Sequence, residues 1–335
     1  MEKIRNIVES TLVPHTAFEN ALRRLEQCFM HAEHALEPIC IAVVGESRTG
    51  KSRVIEECAE NHPTVRRPEG LTIPILRVTT PSTPTIKGLA EAMLDAMQDP
   101  RAATGTEFQK TKRLKKLMVE AGTRMLMIDE FQHFYDRMSN KIMHRVADWL
   151  KIMVDETKVA LVVAGLPSCR AVLRQNEQLA GRFFAPLVMP RFEWTQPEHR
   201  VEFIAILEAF QESLVRYFQL PALHSEEMAF RCYCATGGLI GYLTKFLRRA
   251  VWNAMDAGAD RITFEDLRRA HEEAVLMEDG PGSATSPFAR DFSLESTERL
   301  LESIRAIGTR PELPPERTTR RRRRRPSVLE TLSAS

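Results

Sequence analysis

The chain has 335 residues, 43% of them hydrophobic and 27% charged, the balance of a globular protein with room for about two domains. That composition excludes a fibrous or wholly disordered chain. No run reaches the ~18 apolar residues of a membrane helix, and the charged opening Met1 to Ser10 lacks the apolar stretch of a signal peptide.

An N-terminal helical segment, 1–36, leads into a region where short apolar runs alternate with amphipathic stretches. The runs are Ile39–Val44, Ile73–Val78, Met125–Ile128, Val159–Ala164 and Leu187–Met189. Helical periodicity falls between them, near 51–60, 84–98, 107–121 and 139–155. Uniformly apolar strands separated by helices indicate a parallel sheet covered on both faces, so 37–192 reads as an α/β core.

Beyond Pro190 the strand signals stop. Thr195 to Glu198 is a capping-box pattern with proline in the first turn, opening a helix to about Phe218. Further helices fit 225–235, the stretch after Gly237-Gly238, and Thr263 to Leu276, so 193–277 reads as a small all-helical domain. From 278 onward glycine, serine and proline accumulate. Residues 278–335 read as a largely disordered basic tail, with one short helical piece near 293–306. Trp149, Trp194 and Trp252 sit in apolar patterns and are expected in cores.

The eight residues Gly45, Glu46, Ser47, Arg48, Thr49, Gly50, Lys51 and Ser52 fit the phosphate-binding pattern G-x-x-x-x-G-K-[ST]. They follow an apolar strand and open a helix, where backbone N–H groups and the helix N-terminus converge on anionic oxygens. With Arg53 in the first helical turn they form the candidate nucleotide-binding set. Lys51 is expected on the β- and γ-phosphates, and the Ser52 hydroxyl on Mg²⁺. Met125 to Glu130 is an apolar strand ending in two carboxylates. Asp129 is the second expected Mg²⁺ residue, and Glu130 the general base for an attacking water. ATP and Mg²⁺ are therefore the expected substrate and cofactor, and ATP hydrolysis the expected reaction.

The loop, the Met125 to Phe134 strand, the Val159 to Pro167 strand and Thr236 to Ala250 together resemble the TniB/TnsC family of AAA+ ATPases, over roughly residues 10–277. The resemblance implies a P-loop NTPase of the AAA+ type: a three-layer parallel-sheet core, with the Asp129 strand not adjacent to the Gly45 strand, and a helical lid. It implies ATP-dependent assembly with itself, as a hexameric ring or filament on double-stranded DNA, that marks a target for a transposase. A target-selection protein of the TniQ type is a further implied partner. By the same resemblance Arg182 is the arginine that reaches a neighbour's site. Two departures stand out. The strand end near Leu166 and Pro167 lacks the polar sensor of the γ-phosphate, Ser168 being the nearest hydroxyl. Ile240 stands where related ATPases carry a lid arginine, leaving Lys245 or Arg248 as substitutes. Slow hydrolysis is the expected consequence. Two alternatives stay open, a helicase-loader or replication initiator, and a signalling scaffold that does not touch DNA.

Lys112, Arg113 and Lys116 lie on the faces of an amphipathic helix that Leu114, Leu117 and Met118 leave free, and Lys87 precedes another. These four are the candidate contacts to duplex backbone, giving sequence-independent, salt-sensitive binding. The net charge is +2, but Arg310, Arg317 and Arg320 to Arg325 concentrate positive charge in the tail and leave the rest mildly acidic. That tail is a candidate tether for DNA or for an acidic partner. The six cysteines show no paired metal spacing and read as reduced thiols, which with the missing membrane signals points to the cytoplasm.

Overall fold

The computed structural model describes residues 2–11, 15–68, 70–136, 140–275 and 286–309. Five strands form one parallel sheet. They are β1 (Cys40–Val44), β4 (Ile75–Thr79), β5 (Met125–Asp129), β6 (Ala160–Gly165) and β7 (Leu187–Val188), in the order β4-β5-β6-β1-β7. β6 thus separates the Asp129 strand from the Gly45 strand, in register from Cys40 opposite Leu161 to Val44 opposite Gly165. A short antiparallel hairpin, β2 (Val65–Arg67) and β3 (Gly70–Thr72), lies outside the sheet and was not expected from the sequence.

The three central strands β1, β5 and β6 are buried along their whole length because helices cover both faces. Successive side chains alternate between faces, as pleating requires. Ala42, Val44, Leu126, Ile128, Leu161 and Val163 pack with the helices Ile86–Ala96, Glu107–Glu120 and Asn140–Thr157. Ile41, Val43, Met125, Met127, Val162 and Ala164 pack with Thr16–Ala32 and Lys51–Glu60. This is the three-layer core, and it sets the C-terminal ends of β1, β5 and β6 side by side, where α/β sheets bind ligands.

The helices Pro197–Leu214, Glu226–Thr236, Ile240–Asp256 and Phe264–Ala274 form a second core around Phe203, Phe210, Tyr233 and Phe246. Two neighbours join it from outside the expected 193–277. Val8, from the short helix Ile7–Ser10, is buried in this cluster. So are Phe288, Leu301 and Ile304, Phe288 stacking on Phe246 with ring centroids 5.2 Å apart. Residues 286–309, read from sequence as part of a largely disordered tail with one helical piece near 293–306, are therefore folded, that piece being the helix Glu298–Ala306. Three apolar anchors, the Pro287 and Ala289 carbonyls bonded by Arg231 and the Ile304 and Ile307 carbonyls bonded by Arg191 offset their ordering cost. Arg310, Arg317 and Arg320 to Arg325 lie outside the described residues. Among the described residues no helix is long and apolar enough to cross a membrane. All six cysteines are free and buried.

Candidate functional site

The chain leaves β1 at Gly45 and turns into the helix Lys51–Glu60 through residues 45–50. Gly45 must be glycine, since a Cβ there would collide with the Met189 carbonyl, and Met189 N–H donates to Val44 O at 2.8 Å. Gly50 has φ +94° and Arg48 φ +66°, left-handed conformations that reverse the chain tightly. The Glu46 carbonyl accepts from Thr49 Oγ1 at 3.0 Å and from Lys51 Nζ at 2.5 Å. Among the described residues, the N–H groups of 46–50 make no hydrogen bond to another backbone group. A row of unpartnered backbone donors on a reversed turn is an anion cradle.

Lys51 is only 7% exposed. Burial pulls its ammonium below the ordinary lysine value, opposed first by Glu130 and then by Asp129. Those carboxylates stand at the end of β5. Asp129 is buried, its carbonyl held by Thr80 N–H at 2.9 Å and Thr80 Oγ1 at 2.8 Å, and its Oδ1 accepts from Glu130 N–H at 2.8 Å. Glu130 has φ +54°, unusual for a residue with a side chain, which turns the chain sharply off the strand. Phe131 N–H bonds Ala164 O at 3.0 Å, and Gln132 reaches from Glu130 to the tip of β6. The arrangement puts a buried ammonium, an unsatisfied row of amides and two carboxylates at one end of the sheet. It suits a polyphosphate and a hard divalent cation, with Ser52 exposed on the first helical turn and Asp129 as oxygen donors. Arg53 faces along its own helix, paired with Glu57 at 2.9 Å and Glu56 at 3.3 Å, so its side chain is committed elsewhere.

The helical domain closes over this loop through two contacts. Gly241 N–H donates to Arg48 O at 2.9 Å, and the Arg48 guanidinium lies 4.7 Å from the centre of the Tyr242 ring. Arg191, buried just before the helical domain begins, donates to Glu46 Oε2 from Nε at 3.0 Å and Nη2 at 2.6 Å. The same guanidinium bonds Gly237 O at 3.0 Å and Ile307 O at 2.9 Å. Neither Arg191 nor Gln132 was singled out as a site residue from sequence. The signal for Gln132 was its place two residues beyond Glu130; nothing in the sequence marks Arg191.

Several other candidate residues have partners within the chain. Arg182 does not reach outward. It pairs with Asp155 of its own chain and is 17% exposed on its side chain, so a role at a neighbour's site requires that pair to open. Of the two candidate lid substitutes, Arg248 pairs with Glu9 at 2.7 Å and lies over Trp252, and Lys245 on the same helix is half-buried. Arg113 is half-buried, bound to the buried Asp99 carboxylate at 2.6 Å and to Arg101 O at 2.7 Å. Lys116 is exposed and pairs loosely with Glu120 at 3.6 Å, while Lys87 and Lys112 are exposed. His133 stands 3.8 Å from Glu130.

Residues 3–194 match the family described as bacterial TniB protein. The chain belongs to the TniB family. TniB is a family of transposition-associated AAA+ ATPases. No curated relative matches the sequence. Among solved structures this TniB chain is similar to Cdc6p from Pyrobaculum aerophilum, at 15% identity and TM-score 0.58, over 80% of this chain and 70% of that one. It is also similar to the Aeropyrum pernix ORC1 protein, solved in complex with DNA, at 18% identity and TM-score 0.56 over 80% and 69%. The Aeropyrum pernix ORC2 protein, solved as ADPNP–ADP complexes, gives 14% identity and TM-score 0.56 over 82% and 73%. These likenesses establish the AAA+ P-loop fold of the TniB chain.

Proposed function

We propose that this TniB chain binds ATP with Mg²⁺ at the 45–52 loop, hydrolyses it slowly, and uses the bound nucleotide to control its own assembly on double-stranded DNA during transposition. The observation that carries the reading is the buried Lys51 ammonium, folded onto the phosphate loop and facing Asp129 and Glu130. A buried cation beside unsatisfied amides is costly unless an anion completes the site.

In this reading the backbone amides of 46–50 and Lys51 hold the phosphates, and Ser52 and Asp129 hold the cation, which neutralises phosphate charge when bound. Glu130 takes a proton from the attacking water as the water oxygen bonds to the γ-phosphorus and the bond to ADP breaks. Arg48, Tyr242 and Arg191 link the loop to the helical domain, so nucleotide occupancy is felt by the lid and by residues 298–309. The weak sensor positions near Leu166 and at Ile240 favour slow turnover, with ATP acting as an assembly switch. Lys87, Lys112 and Lys116 are the proposed contacts to duplex backbone, and a ring or helical filament, a transposase and a TniQ-type protein the proposed partners. Arg182 would serve a neighbouring subunit only after leaving Asp155. Family membership favours transposition over replication initiation, because the likeness to initiators is one of fold.

Electron microscopy with a non-hydrolysable ATP analogue and linear duplex tests the reading. Regular assemblies that need both ligands, and vanish in Lys51→Ala, are expected. Assemblies indifferent to nucleotide would contradict it.

A further inference from the structure

We propose that Gln132 is the positioning residue of the general base, fixing the Glu130 carboxylate and fastening it to the tip of β6. The inference rests on the ATPase reading above and deepens it.

Gln132 is 6% exposed, and its amide joins two strand ends. Leu166 N–H, which can only donate, bonds Gln132 Oε1 at 3.2 Å. That fixes the orientation of the amide, so Nε2 faces Glu130 and donates to its Oε2 at 2.6 Å. The site is built around this side chain. A Cβ on Gly165 would collide with Gln132 Oε1, so the strand end is cut back to glycine where the amide passes. The backbone on either side is also held, by Glu130 N–H on Asp129 Oδ1 and Phe131 N–H on Ala164 O.

The Glu130 side chain is 42% exposed. Left alone, such a carboxylate samples several rotamers and meets the attacking water in few of them. With Oε2 engaged by Gln132, one orientation persists and Oε1 is left to accept the proton. The other groups facing Glu130 do not do this. His133 is 3.8 Å away, and Lys51 donates to the Glu46 carbonyl. The tip of β6 carries Leu166 and Pro167, which offer no polar side chain, so the amide of Gln132 supplies the polar group at that strand end. A shift of the β6 tip is thereby passed to the base through one buried side chain.

The test measures kcat and KM for ATP on the full chain with Mg²⁺ and duplex DNA, with nucleotide affinity and thermal melting in parallel. Gln132→Asn keeps the amide but is one methylene too short to hold Leu166 N–H and Glu130 together. Gln132→Met loses both. Positioning predicts that both variants lower kcat about 10- to 100-fold, the cost of misplacing a reacting group by about an ångström. KM and nucleotide affinity should stay near wild type in Gln132→Asn. In a Glu130→Gln background, Gln132→Asn should change the residual rate less than about twofold, because its effect runs through Glu130. A purely structural role predicts the opposite, with kcat of Gln132→Asn near wild type and only its melting temperature lowered; that result overturns the proposal. Equal losses with and without Glu130 also overturn it. A wild-type chain that binds ATP without splitting it would overturn the ATPase reading itself, which sets that failure apart.

Discussion

Two nitrogens of Arg191 hold one oxygen of Glu46, at 3.0 and 2.6 Å, and this pair is where the phosphate loop is fastened to the rest of the molecule. The partners are unequal. Arg191 is buried and also bonds Gly237 O and Ile307 O, whereas the Glu46 side chain is 47% exposed. Removing Arg191 strips a lid carbonyl and a C-terminal carbonyl of their donor at once. Arg191→Ala should therefore cost about 2–4 kcal/mol, loosen 298–309 in hydrogen exchange and weaken nucleotide binding. Glu46→Ala leaves the guanidinium its carbonyls and should cost under about 1 kcal/mol. Equal losses in chemical denaturation would show that the node does not work this way.

Gly238 has φ +69°, and a Cβ there would collide with the Phe192 carbonyl, while its own carbonyl accepts from Phe192 N–H at 3.0 Å. Gly238→Ala should shift the start of Ile240–Asp256 away from the core and lower the melting temperature, at a cost of about 1–3 kcal/mol. Because Gly241 holds Arg48, ATP affinity should fall with it. A variant that melts and binds like wild type would show that this close approach does not hold the helical domain against the loop.

The exposed lysines Lys87, Lys112 and Lys116 and the half-buried Arg113 should separate cleanly. Charge reversal at Lys87, Lys112 and Lys116 is expected to leave folding intact and weaken duplex binding. Every lysine that neutralises a phosphate should, once reversed, reduce the slope of log affinity against log salt by about 0.9. Arg113→Glu sets an acid against Asp99 and should unfold at lower temperature before any effect on DNA can be read. Unaltered binding by the triple-lysine variant, across a salt titration, would remove this face from the DNA interface.

His271 is buried in the helical domain, its Nε2 3.0 Å from Ala235 O. Burial pushes its pKa below the ordinary 6.5, opposed by that hydrogen bond and by Glu272. The unfolded chain therefore takes up a proton that the folded domain refuses. The stability His271 contributes is complete above pH 6.5 and is lost as pH falls below it. His15, also depressed chiefly by burial, adds a loss of the same sign. Thermal melts between about pH 6.5 and 5 should decline by up to about 1.4 kcal/mol per pH unit for each histidine. His271→Phe should flatten the decline; an unchanged slope would exclude this histidine.

The sheet was legible because strands buried on both faces read as continuous apolar runs, and β1, β5 and β6 do, save for Asp129 at the end of β5. The phosphate loop and the Asp129-Glu130 pair were legible because short local sequence dictates both. What was hidden depends on distant partners. The side chain of Arg182 is held by Asp155, that of Arg113 by Asp99, and that of Arg191 by carbonyls 46 and 116 residues away. Residues 286–309 looked too poor in apolar groups to fold, and locally they are. Phe288 and Ile304 become useful only against the surface that Phe246 and its neighbours provide. The hairpin Val65–Thr72 was missed because its strands are three residues each and exposed or half-buried.

Phosphate release and ATP retention, measured side by side for wild type, Lys51→Ala and Glu130→Gln at saturating Mg²⁺, test the central claim most directly. The wild-type chain should retain ATP and release phosphate slowly. Lys51→Ala should retain none, and Glu130→Gln should retain ATP while losing hydrolysis by at least about 100-fold. A wild-type chain that holds neither ATP nor ADP, or a Lys51→Ala chain that holds them as well, would contradict the account.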